Sequence, residues 1–274
     1  MPDAIDITTY EVHGHLGRHQ VLDPRSRAHV RPYDGRQLHP TAWEPRLPAL
    51  DQRNLITQGV STRAYGLDTD VDALASCTGN AATALLSVLL TPDRARAAGL
   101  SLTDPAAAQH FALGLYADAT ARDQWNAFTW PDHDVGSSGL GVTQAMHDRG
   151  LIARYTHATT AAELCLLLQT GPVLMGMPWH TPFSTPDPAG FVDTDPAWAT
   201  SPIEGGHEVC LTALEHVAHT ATGGLDPDRT VLRFRNSWGP GWGDHGDGLL
   251  RLATYLALRP RIDLIQPRLD GESP

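Results

Sequence analysis

Cysteine is scarce in this chain: Cys77, Cys165 and Cys210 are the only three among 274 residues. Three thiols form at most one internal pair, which excludes a disulfide-stapled secreted scaffold and makes a reducing, cytoplasmic setting the expectation. CxxC and HExxH are both absent. The 14 histidines therefore lack the companions of a zinc site, and "HGH" at 13–15 and "HVAH" at 216–219 read as surface histidines. No metal and no cofactor is expected. No apolar run approaches the ~18 residues of a membrane span, and "MPDAIDITTYEVHGH" is not a basic-then-apolar leader. Positive charge is also short: a net charge of −11 argues against nucleic acid or a membrane surface as partner.

What is present is apolar material, 41% of residues, enough for one substantial core. Residues 1–46, rich in Pro, Arg, His and Asp, read as an extended N-terminal arm. Helix signals follow. "ALASCTGNAATALL", from Ala73 to Leu86, starts a helix at Cys77, with Ser76 as N-cap and Thr91-Pro92 as the stop. A second helix runs from Pro105 to about Ala119, capped by Thr103 or Asp104, and a third from Leu140 to Arg149, ending at Gly150. A fourth starts at Thr160, with Glu163 completing a capping box, and ends at Gly171. Short apolar runs at 172–179, 207–214, 230–238 and 248–253 then read as strands. Helices first and strands afterwards predict an α+β protein of two lobes with a ligand cleft between them.

Cys77 sits where helix N–H groups and the positive dipole end favour a thiolate, one half of an activated nucleophile. "IEGGHEVCLTAL" places His207 at a strand start, after two glycines that permit close approach. "FRNSWGPGWGDHGDG" places Asn236 at the end of the next strand, followed by Trp238, which would shield a His–Asn hydrogen bond. Cys, then His, then Asn, with the last two some ~130–150 residues downstream, is the order of a thiol-protease triad. Cys165 and Cys210 lie in apolar runs and read as packing residues.

On these residues the sequence resembles the papain-like cysteine peptidases, and within them the bacterial, disulfide-free members with "SCTGNA" around the nucleophile. "SCTGNA", "GSSGL", "GPVLMG", "GGH" and "NSWGPGWG" occur in the family's order between about Leu47 and Leu258. The resemblance implies a helical N-terminal lobe carrying the Cys77 helix, an antiparallel β-barrel-like C-terminal lobe, and an active site between them. It makes residues 47–262 the catalytic domain and 263–274 a tail. It implies Cys77 as nucleophile, His207 as general base and acid, and Asn236 as the amide that orients His207. Gly136, Ser137, Ser138 and Gly139, with Gly206 and Trp238, would line the cleft.

The family also places a glutamine in the oxyanion hole beside the nucleophile's N–H. Val71 stands at the usual spacing and cannot donate. If residues 56–74 are an insertion, Gln52 in "PALDQRNL" takes the role, with Gln58 as the alternative. Leu74 replaces a family disulfide cysteine. No long helical pro-segment precedes the domain, so a zymogen of the usual kind is not expected. Glu208 should point away from the His207 side chain, as an exposed or interface residue.

The implied chemistry is acyl transfer through a Cys77 thioester. With water as acceptor the enzyme is a peptidase or amidase acting on a peptide or small amide. With an amine it is an acyltransferase or amide-forming enzyme. A third reading is an inactive binding module that keeps the groove.

Overall fold

The computed structural model describes residues 16–19, 25, 30–123 and 128–269. His13 and His15 of "HGH" lie outside them. The helical lobe holds α1 (Cys77–Leu89), α2 (Pro92–Ala97), α3 (Pro105–Thr120) and α4 (Gly139–Asp148). α3 begins at Pro105 behind Asp104, whose carboxylate accepts from the Ala106 and Ala107 N–H groups. α5 (Ala161–Leu168) opens with the full capping box between Thr160 and Glu163. One local expectation fails, and one holds with an addition. The Ser76 side chain does not cap α1; its hydroxyl and carbonyl take the Asn80 amide instead. Thr91-Pro92 ends α1 but also starts α2, because proline is pre-set for a first turn and Thr91 accepts from the Arg94 N–H.

The second lobe is one antiparallel sheet of β2 (Arg154–His157), β3 (Val173–His180), β4 (Ile203–His216), β5 (Val231–Arg235), β6 (Asp247–Arg251) and β7 (Asp263–Arg268). The strands lie in the order β2-β7-β3-β4-β5-β6, and a short β1 (Thr41–Ala42) pairs with the far part of β4. β2 and β6 end the row without meeting, so the sheet is open where a barrel-like closure was expected. Asp263–Arg268, expected in a tail, instead lies inside the sheet between β2 and β3. α6 (Leu252–Leu258) covers one face. No described helix is long and apolar enough to cross a membrane.

Strand alternation divides the core. Leu174, opposite Cys210 and Ile265, faces the helical lobe and packs with Leu85, Leu86, Ala112 and Leu140. Met175, Met177, Val209 and Leu211 face the other way, onto Leu164 and Leu167 of α5 and Leu252 and Tyr255 of α6. β3 is therefore buried along its whole length. Each such large side chain contributes about 1.5–3 kcal/mol.

α1 rests on α3 at Gly79, where an added Cβ would lie 2.2 Å from the Ala112 carbonyl oxygen. Only a glycine lets the two backbones come so close. Gly79→Ala should cost about 1–3 kcal/mol by overpacking, read as a lower urea midpoint with an unchanged slope.

Candidate active site

Cys77 is the first residue of α1 and is 0% exposed. Backbone N–H groups of Glu208, Gly17 and Thr78 point to its sulfur, so the thiol lies beside the residue that follows His207. His207 Nε2 meets Asn236 Oδ1 at 2.7 Å. The Ser237 N–H donates to the same oxygen at 2.7 Å, which fixes the amide orientation. Asn236 Oδ1 can only accept, so Nε2 carries the hydrogen and Nδ1 the lone pair. Trp179 and Trp238 flank the imidazole with ring centroids 4.7 and 5.2 Å away. Trp238 thus covers the His–Asn pair as expected, while Trp179, on β3, carried no sequence signal for this place. Arg53 stacks over the Trp238 ring at 4.8 Å and donates to its carbonyl.

Gln52 is buried where β5 ends and the path to Cys77 begins. Its Nε2 donates to the Leu74 carbonyl at 3.0 Å, and its Oε1 accepts from the Ser237 hydroxyl at 2.6 Å. Backbone bonds repeat the link: Gln52 N–H to the Ser237 carbonyl, and Leu74 N–H to the Gln52 carbonyl, both 3.1 Å. Gln58 turns back on the Asp51 and Asn54 carbonyls of its own turn. Residues 56–74 leave and return at this pinch. They bring Val60, Tyr65, Leu67, Val71 and Leu74 onto Leu113, Tyr116 and Trp130, forming a small core of their own against α3. Asp134 accepts from the Ala75 N–H and from the Tyr116 hydroxyl, which in turn accepts from Gly136 N–H. This ties α3 to both walls of the cleft.

The cleft is filled by the chain itself. Leu16–Gly17–Arg18–His19 runs parallel to Ser137. Ser137 N–H donates to the Gly17 carbonyl at 2.6 Å, His19 N–H to the Ser137 carbonyl at 2.9 Å, and Arg18 N–H to the Gly206 carbonyl at 3.0 Å. Glycines make the slot. An added Cβ on Gly136 would lie 1.9 Å from the Gly17 oxygen, one on Gly206 2.0 Å from the Arg18 oxygen, and one on Gly17 1.8 Å from the Ala75 oxygen. No usual zymogen segment was expected, yet these four residues lie across Cys77. Burial pushes its thiol up to about 12, against the pull of the three N–H groups.

Of the other cleft residues, Gly136, Ser137 and Gly206 line the segment. Ser138 turns away, accepting from Gly141 N–H as the α4 cap and donating to Asp123. Gly139 faces the carboxylates of Glu208 and Asp263. Glu208 does point away from His207 but is 1% exposed, not a surface residue, because its face of β4 is covered by Arg18. Arg18 and Asp263 were missed; neither stands in a motif. No group of three His, Cys, Asp or Glu side chains among the described residues is arranged to hold a metal.

Gly17→Val cannot keep its place against Ala75. It should empty the cleft and raise iodoacetamide labelling of Cys77 at pH 7 at least tenfold, with Cys165 and Cys210 unchanged in peptide mass spectra. His19 supplies a pH dependence. Burial and the Arg18 charge lower it from 6.5 to about 3, with Asp123 the facing carboxylate and the Val135 carbonyl on Nε2. The docked segment binds fewer protons, so docking is complete above the undocked value and is lost as pH falls from there towards the docked one. Moving from pH 7 to 5 should raise the wild-type rate relative to Gly17→Val roughly 20-fold, and His19→Gln should abolish that change.

No protein-family model matches the chain, and no curated protein sequence matches it. Among solved structures, xylellain, a cysteine protease from Xylella fastidiosa, is similar over 98% of this chain and 94% of its own, with a TM-score of 0.50 and 14% identity. A digestive procathepsin L2 proteinase from Tenebrio molitor larval midgut is similar over 93% of this chain and 79% of its own, with a TM-score of 0.49 and 13% identity. At 14% identity the likeness to xylellain establishes architecture alone: the chain has the papain-like two-lobe fold.

Proposed function

We propose that this chain is a papain-like cysteine peptidase or amidase acting through a thioester on Cys77. The observation that carries the reading is the 2.7 Å contact of His207 Nε2 with Asn236 Oδ1, next to Glu208, whose backbone N–H acts on the Cys77 thiol at the start of α1. Asn236 holds the tautomer, so His207 Nδ1 takes the Cys77 proton. The sulfur adds to the amide carbonyl carbon, and the resulting oxyanion is held by the Cys77 N–H and Gln52 Nε2–H. His207 returns the proton to the leaving amine, the C–N bond breaks, and a thioester remains. Water, deprotonated by His207, then adds to the thioester and expels the thiolate, which recovers its proton.

Gln52 supports an active enzyme over a relic that only binds. Its amide is clamped by Leu74 on one side and Ser237 on the other, an expense in order that a simple groove has no use for. The first α1 residues also leave N–H groups that no preceding helical carbonyl can take.

The test is a defined peptide pool incubated with full-length Gly17→Val and read by mass spectrometry. New peptide termini should appear and vanish in Gly17→Val/Cys77→Ala. Added amines, if they replace water in the products, convert the reading to acyl transfer by the same triad. Gln52→Ala should lower kcat by about 10²–10³, near 3–4 kcal/mol, with little change in KM. An intact pool at pH 5 and 7, with no acyl adduct on Cys77, would overturn the enzyme reading.

A further inference from the structure

Glu208, Gly176 and Asp263 stand in one row across β4, β3 and β7, paired Gly176 with Glu208 and Gly176 with Asp263. They occupy the same face as Cys210, Leu174 and Ile265, two residues further along each strand. That face is apolar where it meets the helices and becomes acid–glycine–acid where it enters the cleft. The glycine is what opens a hole between the acids. A Cβ there would lie 2.2 Å from Asp263 Oδ1, 2.4 Å from Arg18 Nε and 2.7 Å from Glu208 Oε2. Gly139, at the start of α4, closes the side: its Cβ would lie 2.8 Å from Glu208 Oε1 and 3.2 Å from Asp263 Oδ2.

Arg18 fills this hole. Its guanidinium donates to Asp263 Oδ1 at 2.6 Å and to the Arg261 carbonyl at 3.2 Å. The walls come from β3, β4, β7 and α4, so the pocket does not need residues 16–19 in order to exist. The occupant also uses only part of it. Both Glu208 oxygens are buried with no hydrogen-bond partner, and Arg18 Nε has none. A buried carboxyl group with neither oxygen hydrogen-bonded is a standing cost that a folded protein rarely keeps without use. Burial and the Asp263 charge hold the Glu208 carboxyl well above the usual range, with the Arg18 charge opposing.

We propose that Glu208, Gly176 and Asp263 form a guanidinium pocket that selects arginine-bearing peptides, Arg18 being its internal occupant in place of substrate. The inference rests on the cleft being the substrate site of a cysteine peptidase, and it assigns the substrate class. Planar, multi-donor guanidinium suits two carboxyl groups facing each other across a glycine, and a bound guanidinium charge opposes the upward shift of Glu208 as Arg18 does; a lysine ammonium offers a point charge without that fork. A peptide laid along Ser137 and Gly206, as Arg18 is, delivers one side chain into the pocket while its backbone crosses Cys77.

The test uses full-length Arg18→Ala and has two independent readouts. The first is calorimetric binding of Nα-acetyl-argininamide beside its neutral isostere, Nα-acetyl-citrullinamide. The arginine compound should bind at least tenfold tighter, and wild-type protein should bind neither. Glu208→Gln/Asp263→Asn should erase the difference; should that variant not fold, Gly176→Ala blocks the hole sterically and should do the same. The second readout is the kcat/KM ratio for peptides that differ only as arginine against leucine, expected above ten in Arg18→Ala. Equal binding of the two amides, or cleavage with a ratio near one, overturns the pocket and leaves the peptidase reading standing. Charge-dependent binding of argininamide without cleavage of any peptide upholds the pocket and removes the peptidase.

Discussion

Strand register between β4, β3 and β7 decides which side of the sheet His207, Glu208 and Asp263 face. Pairing Met177 with His207 and Gly176 with Glu208 sends the imidazole to the side of Trp179 and Trp238 and the carboxylate to the side of the helical lobe. A slip of one residue would exchange them, burying a carboxylate among tryptophans and separating His207 from Asn236. Two apolar sets resist that slip at once. Leu174, Cys210 and Ile265 are bound to the helical core, and Met175, Val209 and Leu211 to the core beneath α5 and α6. A sheet buried on both faces has no neutral register to slide into.

Glycines set the closest backbone approaches. Gly79 brings α1 onto α3 within the helical lobe, and Gly136 and Gly206 bring the cleft walls to within one chain's thickness of each other. Gln52 then closes the assembly by bonding Leu74, just ahead of Cys77, and Ser237, just after Asn236. The ends of the 56–74 excursion are pinched at that junction, where the Leu74 N–H donates to the Gln52 carbonyl and the Leu55 N–H to the Asp72 carbonyl. Loop closure costs grow only slowly with length, about 0.6 kcal/mol per doubling, so its own small core on α3 is enough to hold it.

Burying Glu208 and Asp263 side by side costs stability. Each acid loses hydration on burial, and the Asp263 charge adds to burial in favouring the neutral form of Glu208. Arg18 relieves part of this and, in the same move, lays Gly17 over the Cys77 sulfur. One four-residue segment therefore neutralises the pocket, excludes water from the thiol and occupies the backbone partners of the cleft. The energetics of the acids and the accessibility of the Cys77 thiol are consequently coupled.

Sequence alone determined the local pieces of this protein: the cysteine at a helix start, the Asp104 and Thr160 caps, the run of strands after Gly171, and the Cys–His–Asn order. These are legible because capping, periodicity and turn chemistry act between neighbours a few residues apart. It also favoured Gln52 over Gln58 as oxyanion donor, on the context of Pro48 and Asp51; in the fold Gln52 bonds Leu74 and Ser237, while Gln58 folds back on its own turn. Other features were decided only in three dimensions. Asp263–Arg268 reads as a tail because a short run with Pro260 just ahead of it and Pro267 within it has no alternation of its own; β2 and β3 on either side make it a strand. The openness of the sheet depends on where β2 and β6 end. Arg18 and Asp263 lie near opposite ends of the chain, and their ion pair forms only when β7 inserts beside β3 and the N-terminal segment enters the cleft. Such long-range contacts leave no periodic trace, because what selects them is the shape and charge of a site that exists only after folding.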